Sequence, residues 1–233
     1  EGDIPKMGMK LYLHEDDLNT LDILEAQNID GSLTKQILRI LFSDVRKCIV
    51  GIDEQLEAMF LQALSTGVTA IEEENNTGAA IRLDFGVPAG NRFGVTAVWS
   101  GEDATPLDDI ENITAKARAN GHTLTRIMMS RSTFNNFRKH AQVKELFAAG
   151  MGFAGANIPT PNFEQVNGAL RGNYGVTIEI VDRTVSYEKN GVTVSVDPWE
   201  ANAVVFLTSD QVGSLVWSRL AEMNHRAKQV TYA

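Results

Sequence analysis

The sequence has little of what catalytic, metal-binding and membrane proteins depend on. One cysteine, Cys48, stands among 233 residues, so no internal disulfide is expected and zinc sites rich in Cys are excluded. A lone thiol suits a reducing compartment, or one whose redox state does not matter. Positive charge is in deficit, with 21 Lys and Arg against 30 Asp and Glu and a net charge of −9. That is the wrong sign for a chain whose main task is to hold nucleic acid or an anionic membrane. No run of about 18 apolar residues is present to span a bilayer, and no leader peptide is expected ahead of the first polar turn. At 43% apolar and 22% charged, the chain nevertheless has the composition of a globular protein. A chain of this size hides roughly 70–75% of its unfolded surface, in one large or two small domains.

Reactive motifs are missing too. No GxSxG elbow occurs, and Cys48 falls in an apolar helical stripe, where a small buried hydrophobe is expected. His14, His122, His140 and His225 are scattered, with no HExxH pair. Asn28, Asp30 and Gly31 imitate the middle of a calcium loop, but Ala26 and Ile37 occupy the positions that would have to coordinate. A plain turn is the better reading. Gly150, Gly152 and Gly155 have the spacing GxGxxG, yet they follow a helical run and lead into Ile158, Pro159, Thr160 and Pro161. A dinucleotide loop leaves a strand and opens a helix. Glu72, Glu73 and Glu74 read as a solvated edge that discourages strand pairing. Arg126, Arg131, Arg138, Lys139 and Lys144 lack the interleaved aromatics of a single-strand binder and read as helix surface.

What is present is a strong helical signal. Leu33, Ile37, Leu41, Val45, Cys48, Ile52, Leu56, Met59 and Ala63 recur at steps of three or four. Ser32 is the expected N-cap and Gly67 the expected stop. Unbroken, this helix would be about 50 Å long at about 1.5 Å per residue, with Gly51 the place for a bend. A shorter helix, 15–27, precedes it behind an acidic first turn. Strands are predicted at 68–74, 79–85 and 94–99, the first two joined by a turn at 75–78.

Beyond Trp99 the elements become short and alternate. Thr105, Pro106 and Asp108 are expected to cap a helix ending at Asn120 and Gly121. A strand at 124–129, helices at 132–139 and 142–149, and a Gly- and Pro-rich stretch at 150–175 with a short helix after Pro161 follow. Strands at 176–181, 185–188, 192–196 and 203–207 close the pattern, the middle pair as a hairpin on Asn190 and Gly191. This order is α+β rather than a wound parallel sheet.

Several motifs in this order resemble the major capsid protein E family of tailed bacteriophages, the lambda-type branch of the HK97-like shell fold. They are EAMFLQALSTG (57–67), LDFG (83–86), VWS (98–100), TPLDDIE (105–111), RIMMSRSTFNNFRKHAQVKELF (126–147), YGVTIEIVD (174–182), YEKNGV (187–192) and NAVVFL (202–207). The resemblance implies a structural subunit with no catalytic, metal or cofactor residues. It implies a long spine helix with an antiparallel β-ribbon as peripheral domain (33–100), and a mixed α/β axial domain (101–233). Residues 1–32 would be the returning edge of an extended hairpin with a lead-in helix. Beside the family pattern the chain lacks most of that hairpin and a last peripheral strand, so a trimmed subunit is expected.

Copies would assemble into capsomers and an icosahedral shell around double-stranded DNA, with scaffold, decoration and portal proteins as further partners and no membrane. The site implied is the virion, after assembly in the host cytoplasm. The Gly-rich loop would point toward a capsomer axis, making Met151, Phe153, Ile158 and Phe163 candidate subunit contacts. The plainer reading is that they close over their own domain. An acidic wall would let packed DNA slide by like-charge repulsion, screened beyond roughly 8 Å. Two alternatives remain: an encapsulin-like compartment shell, and a small-molecule enzyme or binding module using the 150–175 loop.

Overall fold

The structure is a computed structural model and describes residues 7–9, 14–71, 80–152, 157–189 and 192–219. Helix α1 (Glu15–Gln27) opens on Glu15, Asp16 and Asp17, whose charges suit the positive end of the helix dipole. A turn then sets up α2 (Thr34–Thr66), a single helix of 33 residues. Ser32 is not its cap. Leu33 holds that position with helical dihedrals, and Asn28 does the work, its Oδ1 accepting from the Leu33 N–H at 2.8 Å and its Nδ2 donating to Thr34 Oγ1 at 3.0 Å. Ser32 instead gives its hydroxyl (2.6 Å) and N–H (3.1 Å) to Asp30 Oδ1. A carboxylate is the stronger acceptor, and these bonds hold the Asp30 carboxyl below its usual pKa.

Helix α2 runs through Gly51 without interruption. The glycine is there for close approach, because the Met9 thioether lies where a Cβ would stand. Gly67 ends the helix in the left-handed region at φ 79°, its N–H donating to Ala63 O at 2.8 Å.

Strands β1 (Val68–Ile71) and β2 (Ile81–Asp84) pair antiparallel, from Val68 opposite Asp84 to Ile71 opposite Ile81. The acidic run 72–74 and the turn expected at 75–78 lie outside the described residues. β1 is tied back to α2 by Thr69 Oγ1 donating to Met59 O (2.7 Å) and the Ala70 N–H donating to Gln62 Oε1 (3.0 Å). Residues 94–99 do not form the expected third strand. Side chains anchor this segment in place of a backbone ladder. Lys116 Nζ sits 4.3 Å from the Phe93 ring centroid, and Trp99 Nε1 donates to Asp109 Oδ2 at 2.8 Å.

The remaining elements are α3 (Pro106–Ala119), β3 (Arg126–Ser130), α4 (Arg131–Lys139), α5 (Ala141–Met151), α6 (Phe163–Tyr174), β4 (Thr177–Val181), β5 (Val185–Lys189), β6 (Val192–Val196) and β7 (Val204–Leu207). The capping box expected at Thr105 and Asp108 does not form. Gln142 of α5 serves that helix end instead, accepting from the Leu107 N–H and donating to Asp108 Oδ2, both at 3.1 Å. β5 and β6 form an antiparallel hairpin whose turn residues, Asn190 and Gly191, are outside the described set. The central sheet has the order β4-β3-β7 and is mixed. β3 and β4 are parallel, joined through α4, α5 and α6 as a parallel pair requires, while β3 and β7 are antiparallel.

Alternation along β3 divides the interior. Ile127 and Met129 face a core with Ile110, Phe137, Val166, Leu170 and Ile178. Met128 faces the other way and meets Leu61 of α2, Trp199 and Leu207. This second cluster fastens the end of α2 to the sheet. Arg183 reinforces it with ion pairs to Glu54 (2.6 Å) and Glu57 (3.1 Å).

β4 is an edge strand, and α6 covers part of its edge. The buried amide of Asn167 accepts from the Ile178 N–H at 2.6 Å and donates to Ile178 O at 3.1 Å. It takes the place of a neighbouring strand. Asn167→Ala strips both backbone groups of their partners and is expected to cost roughly 2–4 kcal/mol, read as a lower denaturant midpoint.

Candidate functional site

Much of the exposed surface of α2 is apolar. Of the apolar stripe read along α2, Ile37 is buried and Leu33, Ile52, Leu56, Met59 and Ala63 are half-buried, while Ala58 and Leu61 beside it are buried too. Between Ile37 and Ile52, Leu38, Leu41, Val45 and Val50 are exposed, and Phe42 and Ile49 are each 60% exposed. Cys48, expected to be buried, is half-exposed beside them. Leu38, Leu41, Phe42, Val45 and Ile49 follow one helical face.

Toward the end of α2 that face runs into an open groove of about 1760 Å³. One wall is α2, with Ile52, Leu56 and Phe60, and the other carries Phe85, Val98 and the segment 212–217. Phe85 and Val98 are exposed, and Trp217 is 76% exposed. Contiguous apolar surface of this extent marks a binding face rather than ordinary monomer surface.

The residues anticipated as contacts do not form this face. Met151 projects from the end of α5, 68% exposed. Phe153 is outside the described residues. Ile158 is half-buried. Phe163 packs on the core of its own domain, edge-on to Phe134 at 5.5 Å between ring centroids. Of the exposed face only Leu41 and Val45 belong to the stripe read from sequence; Leu38, Phe42 and Ile49 lie beside it, and a helical period does not say whether the same chain covers a face.

The other candidates resolve locally. Gly150 lies in the last turn of α5 and Gly152 caps it at φ 64°, so this glycine pattern leaves a helix and not a strand, while Gly155 is outside the described residues. Asn28 and Asp30 spend their side chains on the turn before α2. Among the described residues no three His, Cys, Asp or Glu side chains gather to hold a metal. No helix there is long and apolar enough to cross a membrane. Tyr174 has its phenol pKa raised by burial first and by Glu111 and Asp108 second, which keeps it protonated.

A stiff helix with an uncovered apolar flank and an apolar groove defines a subunit built to join others. The profile of the phage major capsid protein E family matches residues 1–227. The chain belongs to that family, whose members are structural proteins rather than catalysts and assemble into the multimeric shell of a virion. No curated protein matches it significantly. Among solved structures it is similar to one described as a candidate capsid protein of an E. coli CFT073 prophage, with a TM-score of 0.50 and 16% identity. The match covers 88% of this chain and 54% of that one, so the chain spans about half the length of that relative.

Trp99 and Trp199 are buried while Trp217 is exposed. Iodide is therefore expected to quench one tryptophan of three in the unassembled protein, and Trp217→Phe to abolish that quenched fraction.

Proposed function

We propose that this chain is the shell-forming part of a major head protein with the HK97-like arrangement. In this reading α2 is the spine, with the β1/β2 ribbon along it, and residues 33–100 form the peripheral domain. Residues 101–233 form the axial domain, and 1–32 lead in from an extended hairpin. The shell is icosahedral, assembles in the host cytoplasm and encloses double-stranded DNA without reading its sequence. Scaffold, decoration and portal proteins are its further partners. The observation that carries this reading is the uncovered apolar face of α2, where Phe42 and Ile49 project into solvent. Heterologous contacts repeated about rotation axes cover such a face in every subunit and close a shell. In this reading Met151, Phe153, Ile158 and Phe163 are contact residues near a capsomer axis.

The test is electron microscopy of the protein expressed with its neighbouring genes. Uniform closed particles are expected, and soluble monomers under every condition would refute the reading. Phe42→Glu with Ile49→Glu should lower the assembled fraction more than tenfold. Both residues are exposed in the single chain, so its stability should move by no more than about 0.5 kcal/mol per substitution.

A further inference from the structure

The fold gathers arginines that are spread along the sequence. Arg126 of β3, Arg131 and Arg138 of α4 and Arg171 of α6 line one open pocket of about 760 Å³ beside the edge strand β4. Two of them are already engaged. Arg126 pairs with Glu179 (2.7 Å) and Asp210 (2.8 Å), and Arg131 pairs with Asp182 (2.5 Å). Arg138 and Arg171 have no ion pair among the described residues. The Nε of Arg138 is also buried without a hydrogen-bond partner. That Nε is covered by protein atoms, so a carboxylate would meet Arg138 through its terminal Nη groups, whose planar geometry suits an oxyanion.

The strand edge supplies the second observation. Alternate residues of a strand turn their backbone groups to the same side. Ile178 has both of its outward groups bonded to Asn167. Ile180, two residues further on, lines the same pocket, and among the described residues no side chain bonds its backbone. An extended segment lying beside Ile180 would continue the sheet where Asn167 leaves off.

The lining also selects the kind of ligand. Glu164 and Glu179 share the pocket with the arginines, which disfavours a phosphate backbone and tolerates a polypeptide with charges of both signs. A chain of net charge −9 offers carboxylates on its own surface. Resting on the shell reading for the partner's identity, we propose that this pocket receives an extended, carboxylate-bearing segment of a second copy of this chain. Arg138 and Arg171 grip its carboxylates, and the outer edge of β4 at Ile180 pairs with its backbone.

The full chain is compared with Arg138→Gln/Arg171→Gln, which removes the charge and keeps a polar side chain, and with Arg138→Glu/Arg171→Glu. Thermal melting checks the fold, sedimentation reads the assembled fraction, and hexaglutamate is titrated into unassembled protein at low salt. The peptide should bind the unaltered chain at least tenfold more tightly than the Gln variant, and added salt should weaken it. Assembly should fall by a similar factor in the Gln variant and further in the Glu variant, with melting unchanged. Equal peptide binding by both proteins, undiminished assembly of the variants, or binding of inorganic phosphate or short duplex DNA in place of the peptide would overturn the proposal. If the unaltered chain never assembles, the shell reading falls and the peptide titration alone decides the pocket.

Discussion

The constraint on which the structure depends is the mismatch between one long helix and the amount of chain available to cover it. A helix of 33 residues spans about 50 Å, more than the diameter of most single domains of this mass. Among the described residues it meets α1 near its start, the Met9 side chain at Gly51, and β1 with the Met128, Trp199 and Leu207 cluster near its finish. Between these contacts Leu41, Phe42, Val45 and Ile49 remain exposed. Burial of apolar surface contributes roughly 25 cal/mol per Å², so a flank this wide holds a large driving force for association that folding of the single chain leaves unspent.

The rest of the architecture makes that flank rigid and holds it in place. The three-stranded sheet is packed on both faces, by the helices on one side and by the end of α2 on the other. Arg183 reaches from the segment after β4 to two carboxylates on α2. Each of these ion pairs is about 40% or more exposed, so they define orientation more than they add stability. The apolar seam supplies the stability, and together the two kinds of contact keep the long helix and the α/β part in a fixed relation. A shell subunit needs that rigidity, because small angular errors accumulate when the same contact is repeated about an axis.

Much of this was legible in the sequence. The period of three and four from Leu33 to Ala63 marked α2, and Gly67 marked its end. The positions of the strands and the β5/β6 hairpin were also readable from local pattern, but the pairing of β3 with β4 and β7 was not. What failed was the choice among local polar partners. Ser32 and Thr105 are good caps by type, yet Asn28 and Gln142 serve those helix ends because the fold delivers a better-placed amide. The segment 94–99 has the alternation of a strand but is held at its two ends, by Lys116 over the preceding Phe93 and by Asp109 on Trp99. The largest gap concerned the site. Periodicity shows that an apolar face exists, whereas its exposure depends on which elements pack where. The arginines of the β4 pocket come from α4, α6 and β3, and nothing in their spacing brings Arg171 beside Arg138.

Shell formation through α2 requires that copies of this chain cover the middle of that helix. Hydroxyl-radical footprinting of the unassembled protein and of purified particles reads this directly, residue by residue. Phe42, Val45 and Ile49 should label readily in the single chain and become strongly protected in the particle, while Phe137, already buried, stays dark in both. Labelling of Phe42, Val45 and Ile49 that is unchanged on assembly would contradict the central claim.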